Sequence, residues 1–99
     1  MSETTQWTIK KEMGISHKEL FRKLPLVFKG EDYQVEGNRV TFAKNHQKVE
    51  ILISEELRRK LGIVSLPITH VELNLTGYDS SEKSDFIRHF DIQYFRGGG

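Results

Sequence analysis

The sequence predicts an α+β fold: a four- or five-stranded, mostly antiparallel sheet in the order β-α-β-β-β-α-β-α, with the helices on one face. Three observations predict it. Thr69, Val71, Leu73 and Leu75 recur at every second position between Pro67 and Gly77, the period of a strand with one dry face. The run from Tyr33 to Ile53 contains three more alternating segments joined by short turns. Two further segments, around Leu20 and around Phe90, carry their apolar residues at helical spacing.

The chain has 99 residues, enough for one domain with a modest core. Residues 1–4 read as a loose tail. Gln6 to Lys11 alternates Trp7 and Ile9 with polar neighbours and reads as a first strand, broken by Gly14. Ser16-His17-Lys18-Glu19 has the form of a capping box, in which serine accepts from the Glu19 amide and Glu19 reaches back. A helix is expected from about His17 to Leu24. Pro25 ends or kinks it, and Leu26-Val27-Phe28 continues as an irregular apolar segment closed by Gly30.

Tyr33 and Val35 then alternate toward the core. Gly37-Asn38 suits a two-residue hairpin turn, and Val40 and Phe42 follow on one face. A second turn at Lys44–Gln47 leads into Val49, Ile51 and Ile53, completing an antiparallel meander. Ser54 is placed to cap a short helix from Glu55 to Leu61, acidic at its start and basic at its end, with Gly62 as its terminator. Such a link is long enough for a crossover, which would let residues 67–76 run parallel to a meander strand. Asp79 or Ser80 caps the last helix, whose stripe is Phe86, Ile87, Phe90 and Tyr94.

Composition bounds the function. Net charge is +1 and mean hydropathy is −0.52. The basic excess is confined to the middle of the chain, too shallow a gradient for an obligate nucleic-acid binder. No apolar run is long enough to span a membrane, and the polar amino end has no signal-peptide core. Cysteine is absent, which removes disulfides and thiolate chemistry and fits a cytoplasmic setting.

The four histidines, His17, His46, His70 and His89, have no metal-site spacing and read as solvated side chains. His70 stands out because Glu72 and Glu50 should share its wet face, where a His–carboxylate pair can act as a general base if a cleft encloses it. No phosphate-loop or nucleophile-elbow pattern occurs. No catalytic residue, cofactor or metal is therefore assigned, and no membrane partner is expected. Arg58, Arg59 and Lys60 are the residues for a weak nucleic-acid contact, ranked below an ordinary basic rim. Leu52, on the wet face with Ile68, makes that face less polar than a hydrated surface needs. An unpaired edge strand containing Trp7 would recruit a partner strand from another protein or from a second copy of the chain.

The chain ends Arg96-Gly97-Gly98-Gly99, which resembles the tails of ubiquitin and of small sulfur-carrier proteins. The resemblance covers four residues. It implies a carrier activated at its terminal carboxylate, with Gly98 and Gly99 threading a narrow channel. The plainer reading is a helix terminator followed by frayed glycines at 97–99. The expectation carried forward is a non-enzymatic protein-binding or adaptor module. The alternatives are a carrier working through Gly98 and Gly99, or a weak nucleic-acid binder working through Arg58, Arg59 and Lys60.

Overall fold

The computed structural model describes residues 6–94. The stretches 1–4 and 97–99, and with them Gly98 and Gly99, lie outside the described residues. The elements are β1 (Gln6–Met13), α1 (His17–Arg22), α2 (Leu24–Val27), β2 (Gln34–Glu36), β3 (Arg39–Lys44), β4 (Gln47–Ile53), β5 (Leu57–Leu61), β6 (Val64–Thr76) and α3 (Ser80–Tyr94). The class is α+β, as predicted, with six strands rather than four or five. The sheet order is β1-β6-β4-β3-β2, with β5 pairing β6, and every pairing is antiparallel.

β6 is the centre of the sheet. Its residues Thr69, Val71, Leu73 and Leu75 are all buried, and they meet Val40, Val49 and Ile51 from the neighbouring strands. Leu20, Leu24, Val27, Phe28 and Phe90 close over that face from α1, α2 and α3. All three helices therefore lie on one side, because only that side of the strands is apolar at every second residue. Val35 shares this face but is exposed, since β2 is the outermost strand and lies beyond the helical cover.

The local signals resolve as follows. The Ser16 hydroxyl accepts from the Glu19 amide at 3.2 Å, but the Glu19 carboxylate turns to Arg22 instead of reaching back. Asp79 and Glu82 make the reciprocal capping box at α3, at 2.8 and 2.9 Å. Pro25 sits in the first turn of α2, where its missing donor costs least, so residues 24–27 form a separate helical turn. Lys23, buried at that joint, donates from Nζ to the Gln93 carbonyl at 3.2 Å and ties α2 to the end of α3. Gly77 leaves β6 at φ +81, and a Cβ there would stand 2.3 Å from the His46 carbonyl oxygen.

The largest departure from the sequence expectation lies between β4 and β6. Residues 55–61 form no helix, and the link to β6 is no crossover. Leu57↔Ile68 through Leu61↔Val64 is an antiparallel ladder closed by Gly62-Ile63. Gly62 has φ +65 and Ile63 does not, the pattern of a type II′ turn, whose twist matches a hairpin. β4 and β5 lie on the same side of β6. Between Ile53↔Val71 and Leu57↔Ile68, three residues of one strand face two of the other, which is a β-bulge. Residues 47–76 are thus one long bulged hairpin. Ser54, expected as a helix cap, sits in the bulge: its hydroxyl accepts from the His70 amide at 2.9 Å, and its amide donates to the His70 carbonyl.

Candidate functional site

The bulge and the strands beyond it create an exposed apolar surface. Past Thr69 the hairpin leaves the helical layer and β1, and the molecule measures 56 × 26 × 24 Å as a result. Two strands alone cannot bury both their faces. In the ladder β5–β6, Leu57, Arg59 and Leu61 project to the same face as Val64, Leu66 and Ile68. Leu57, Leu61, Val64 and Leu66 are each between 43% and 56% exposed, and Ile63 at the turn is fully exposed. The opposite face carries Arg58, Lys60, Ser65 and Pro67. Arg59 is the one charge in the apolar row, and its guanidinium is drawn sideways to Glu12 of β1 at 2.9 Å.

The base of this arm is anchored. The His17 amide donates to Glu56 Oε1 at 2.8 Å, and His17 Nε2 lies 2.7 Å from the Ser54 carbonyl oxygen. The Thr69 hydroxyl donates to the buried Ile15 carbonyl at 2.8 Å. Pro67 falls on the free edge of β6. The Ser54–His70 bonds show that His70 points toward β4, so by alternation Pro67 points away from β5, where no donor is required. The base of the arm is thus tied to the body of the molecule through Glu56, Ser54 and Thr69, with one edge strand blunted by proline.

The wet face of the sheet brings together other residues singled out from sequence. Leu52, His70 and Glu72 line a shallow hollow of about 570 Å³ with Lys10 and Glu12. His70 Nε2 lies 3.5 Å from Glu12, its cross-strand neighbour, while Glu72 accepts from Asn74 at 3.0 Å. The carboxylate beside His70 is therefore on β1. Alternation along β6 placed Glu72 correctly on the face, but the residue directly across the ladder is nearer than the one two along it. His70 is about half exposed, and the hollow leaves it open to water. A larger cleft of about 840 Å³ lies toward β2 and includes Arg39, Glu50 and Asn74. Its polar groups satisfy one another: Arg39 to Glu50 at 2.7 Å, Asn74 to Glu50 at 3.3 Å, and Thr8 to Asn74 at 2.8 Å.

Arg58, Arg59 and Lys60, expected on one helix end, are split by the strand geometry. Arg58 and Lys60 lie on one face of the arm and Arg59 on the other, with Arg58 3.7 Å from Glu56. Among the described residues no group of three or more His, Cys, Asp or Glu side chains is placed to hold a metal ion, and no helix is long and apolar enough to cross a membrane. The arm was the feature missed from sequence. Part of its signal was there, in the alternation of Val64, Leu66 and Ile68 after Gly62-Ile63, whereas Leu57 and Leu61, four residues apart, fit a helix as well as a strand. No family model, curated protein or solved structure matches the chain.

Proposed function

We propose that this chain is a protein-binding module that works through its β5–β6 arm. The observation that carries the reading is the aliphatic row Leu57, Leu61, Val64 and Leu66, capped by Ile63, on an anchored hairpin outside the core. Isolated apolar side chains on a surface are ordinary, whereas a contiguous row of them marks an interaction site. The row contributes little to stability, because it packs against no second layer. Its one cation is compensated within the chain by Glu12, so a partner meets an apolar strip without an unpaired charge. Arg58 and Lys60 on the reverse face keep the arm hydrated when free.

Site-specific photocrosslinking in the host cell tests this. A photoreactive residue at Leu61 or Val64 should trap a discrete protein partner, and one at Thr41 on the wet face of the sheet should not. Equal trapping at all three positions, or none at the arm, contradicts the proposal.

A further inference from the structure

A second surface, on the opposite edge of the sheet, points to a second copy of this chain. β1 is a terminal strand of the sheet. The Ile53 amide bonds toward β3 and the Ser54 amide toward β6. Following this alternation across the ladders turns the N–H and C=O groups of Trp7, Ile9, Lys11 and Met13 toward β6. Those of Gln6, Thr8, Lys10 and Glu12 therefore face outward, along an edge that no strand among the described residues occupies. Within β1 no proline or bulge blunts this edge, in contrast to Pro67 on the arm.

α3 runs beside β1 in the same direction. Lys83 lies 4.6 Å from the Trp7 ring centroid, and Asp91 lies 2.9 Å from Lys11. Eight helical residues and four strand residues each span about 12–13 Å, so helix and strand stay in step along this contact. Between them Ile9, Ile87 and Ile92 line a largely apolar groove, with Arg88 and Asp91 at its side, and Ile92 is 60% exposed.

We propose that two copies pair antiparallel through β1, about a two-fold axis normal to the sheet, with α3 against α3 on the same side. The helix sequence is self-complementary for this arrangement. The midpoint between Arg88 and Asp91 is also the midpoint between Ile87 and Ile92. One axis there sets each Arg88 against Asp91 of the second copy and each Ile92 over Ile87 of the second copy. On the other face of the sheet, the register with Lys10 opposite Glu12 of the second copy pairs outward-pointing residues and opposite charges. The interface gains main-chain hydrogen bonds and an apolar seam, and it shares with the second copy the carboxylates of Asp91 and Glu12, which within one chain already meet Lys11 and Arg59; the two Lys11 side chains face each other near the axis, each beside its own Asp91. It uses no residue of the arm's apolar row and shares with the arm only Glu12, so the Ile92 and Arg88 variants test it separately from the proposed function.

Sedimentation equilibrium of the full chain is the test. At high micromolar concentration the mass should be twice 11.5 kDa. Ile92→Glu and Arg88→Asp should each raise the dimer dissociation constant at least tenfold. The double variant Arg88→Asp/Asp91→Arg should restore dimerisation relative to Arg88→Asp. The Thr8, Lys10 and Glu12 amides should exchange slowly with solvent in the dimer and fast on dilution. A wild-type monomer at all concentrations, a dimer indifferent to Ile92→Glu, or fast exchange of those three amides in the dimer overturns the proposal. Circular dichroism of each variant separates loss of pairing from loss of fold.

Discussion

At the scale of single residues, the two faces of β6 differ sharply in what they contribute. Leu73 is fully buried among aliphatic neighbours, and Phe90 is the largest buried side chain of α3. Truncating either leaves a cavity, so Leu73→Ala should cost about 2–5 kcal/mol and Phe90→Ala about 3–5 kcal/mol. Glu72→Ala, on the wet face, should change stability by less than about 0.5 kcal/mol. Denaturant titration of the three variants checks this, and equal midpoints would refute the facing. Tyr94 sets an alkaline limit. Its hydroxyl donates to the Leu20 carbonyl at 2.7 Å, and burial, with a smaller contribution from Tyr33, pushes its ionisation well above the ordinary phenol range. Burial also raises Tyr78. The unfolded chain loses these protons near pH 10 while the folded chain keeps them. Stability is therefore complete below about pH 10 and falls as pH rises above it. Tyr94→Phe should lower stability by about 0.5–1.5 kcal/mol at neutral pH and make the alkaline decline shallower. A decline unchanged by the substitution would show that Tyr94 does not drive it.

At the scale of elements, the strands were legible wherever each carried its own alternation. Val71-Leu73-Leu75, Val49-Ile51-Ile53 and the Gly37-Asn38 turn could be read directly, since period and turn chemistry agree. The helix ends were legible from Ser16 and Asp79. Residues 55–61 were misread because acidic-first and basic-last charges followed by glycine describe a helix as well as they describe a strand entering a turn. Seven residues with apolar positions only at Leu57 and Leu61 are too few for periodicity to decide between the two. The ladder from Leu57↔Ile68 to Leu61↔Val64 decides it, because the backbone groups of both runs are satisfied by one another across the turn. The His70–Glu12 contact was hidden for a related reason: it spans the register between β1 and β6, which no local pattern encodes. The candidate site was legible in its letters and illegible in its shape. The aliphatic residues from Leu57 to Ile68 were visible, but their projection beyond the helical layer depends on where β1 ends and where the bulge falls.

At the scale of the whole molecule, folding and recognition occupy separate parts. The core lies between one sheet face and three helices, and its buried residues include none of the aliphatic row on the arm apart from Ile68 at the base. The anchors at Glu56, Ser54 and Thr69 all lie outside residues 58–67. Leu57↔Ile68 is a ladder pair able to close a two-residue hairpin, so replacing residues 58–67 by Asn-Gly should shorten the arm without disturbing the core. The most direct measurement compares this shortened chain with the full chain in two assays: the denaturant midpoint, and recovery of the protein partner trapped at Leu61 in the full chain. The shortened chain should keep a nearly unchanged midpoint and lose that partner. A shortened chain that still captures the partner, or one that no longer folds, contradicts this separation of folding from recognition.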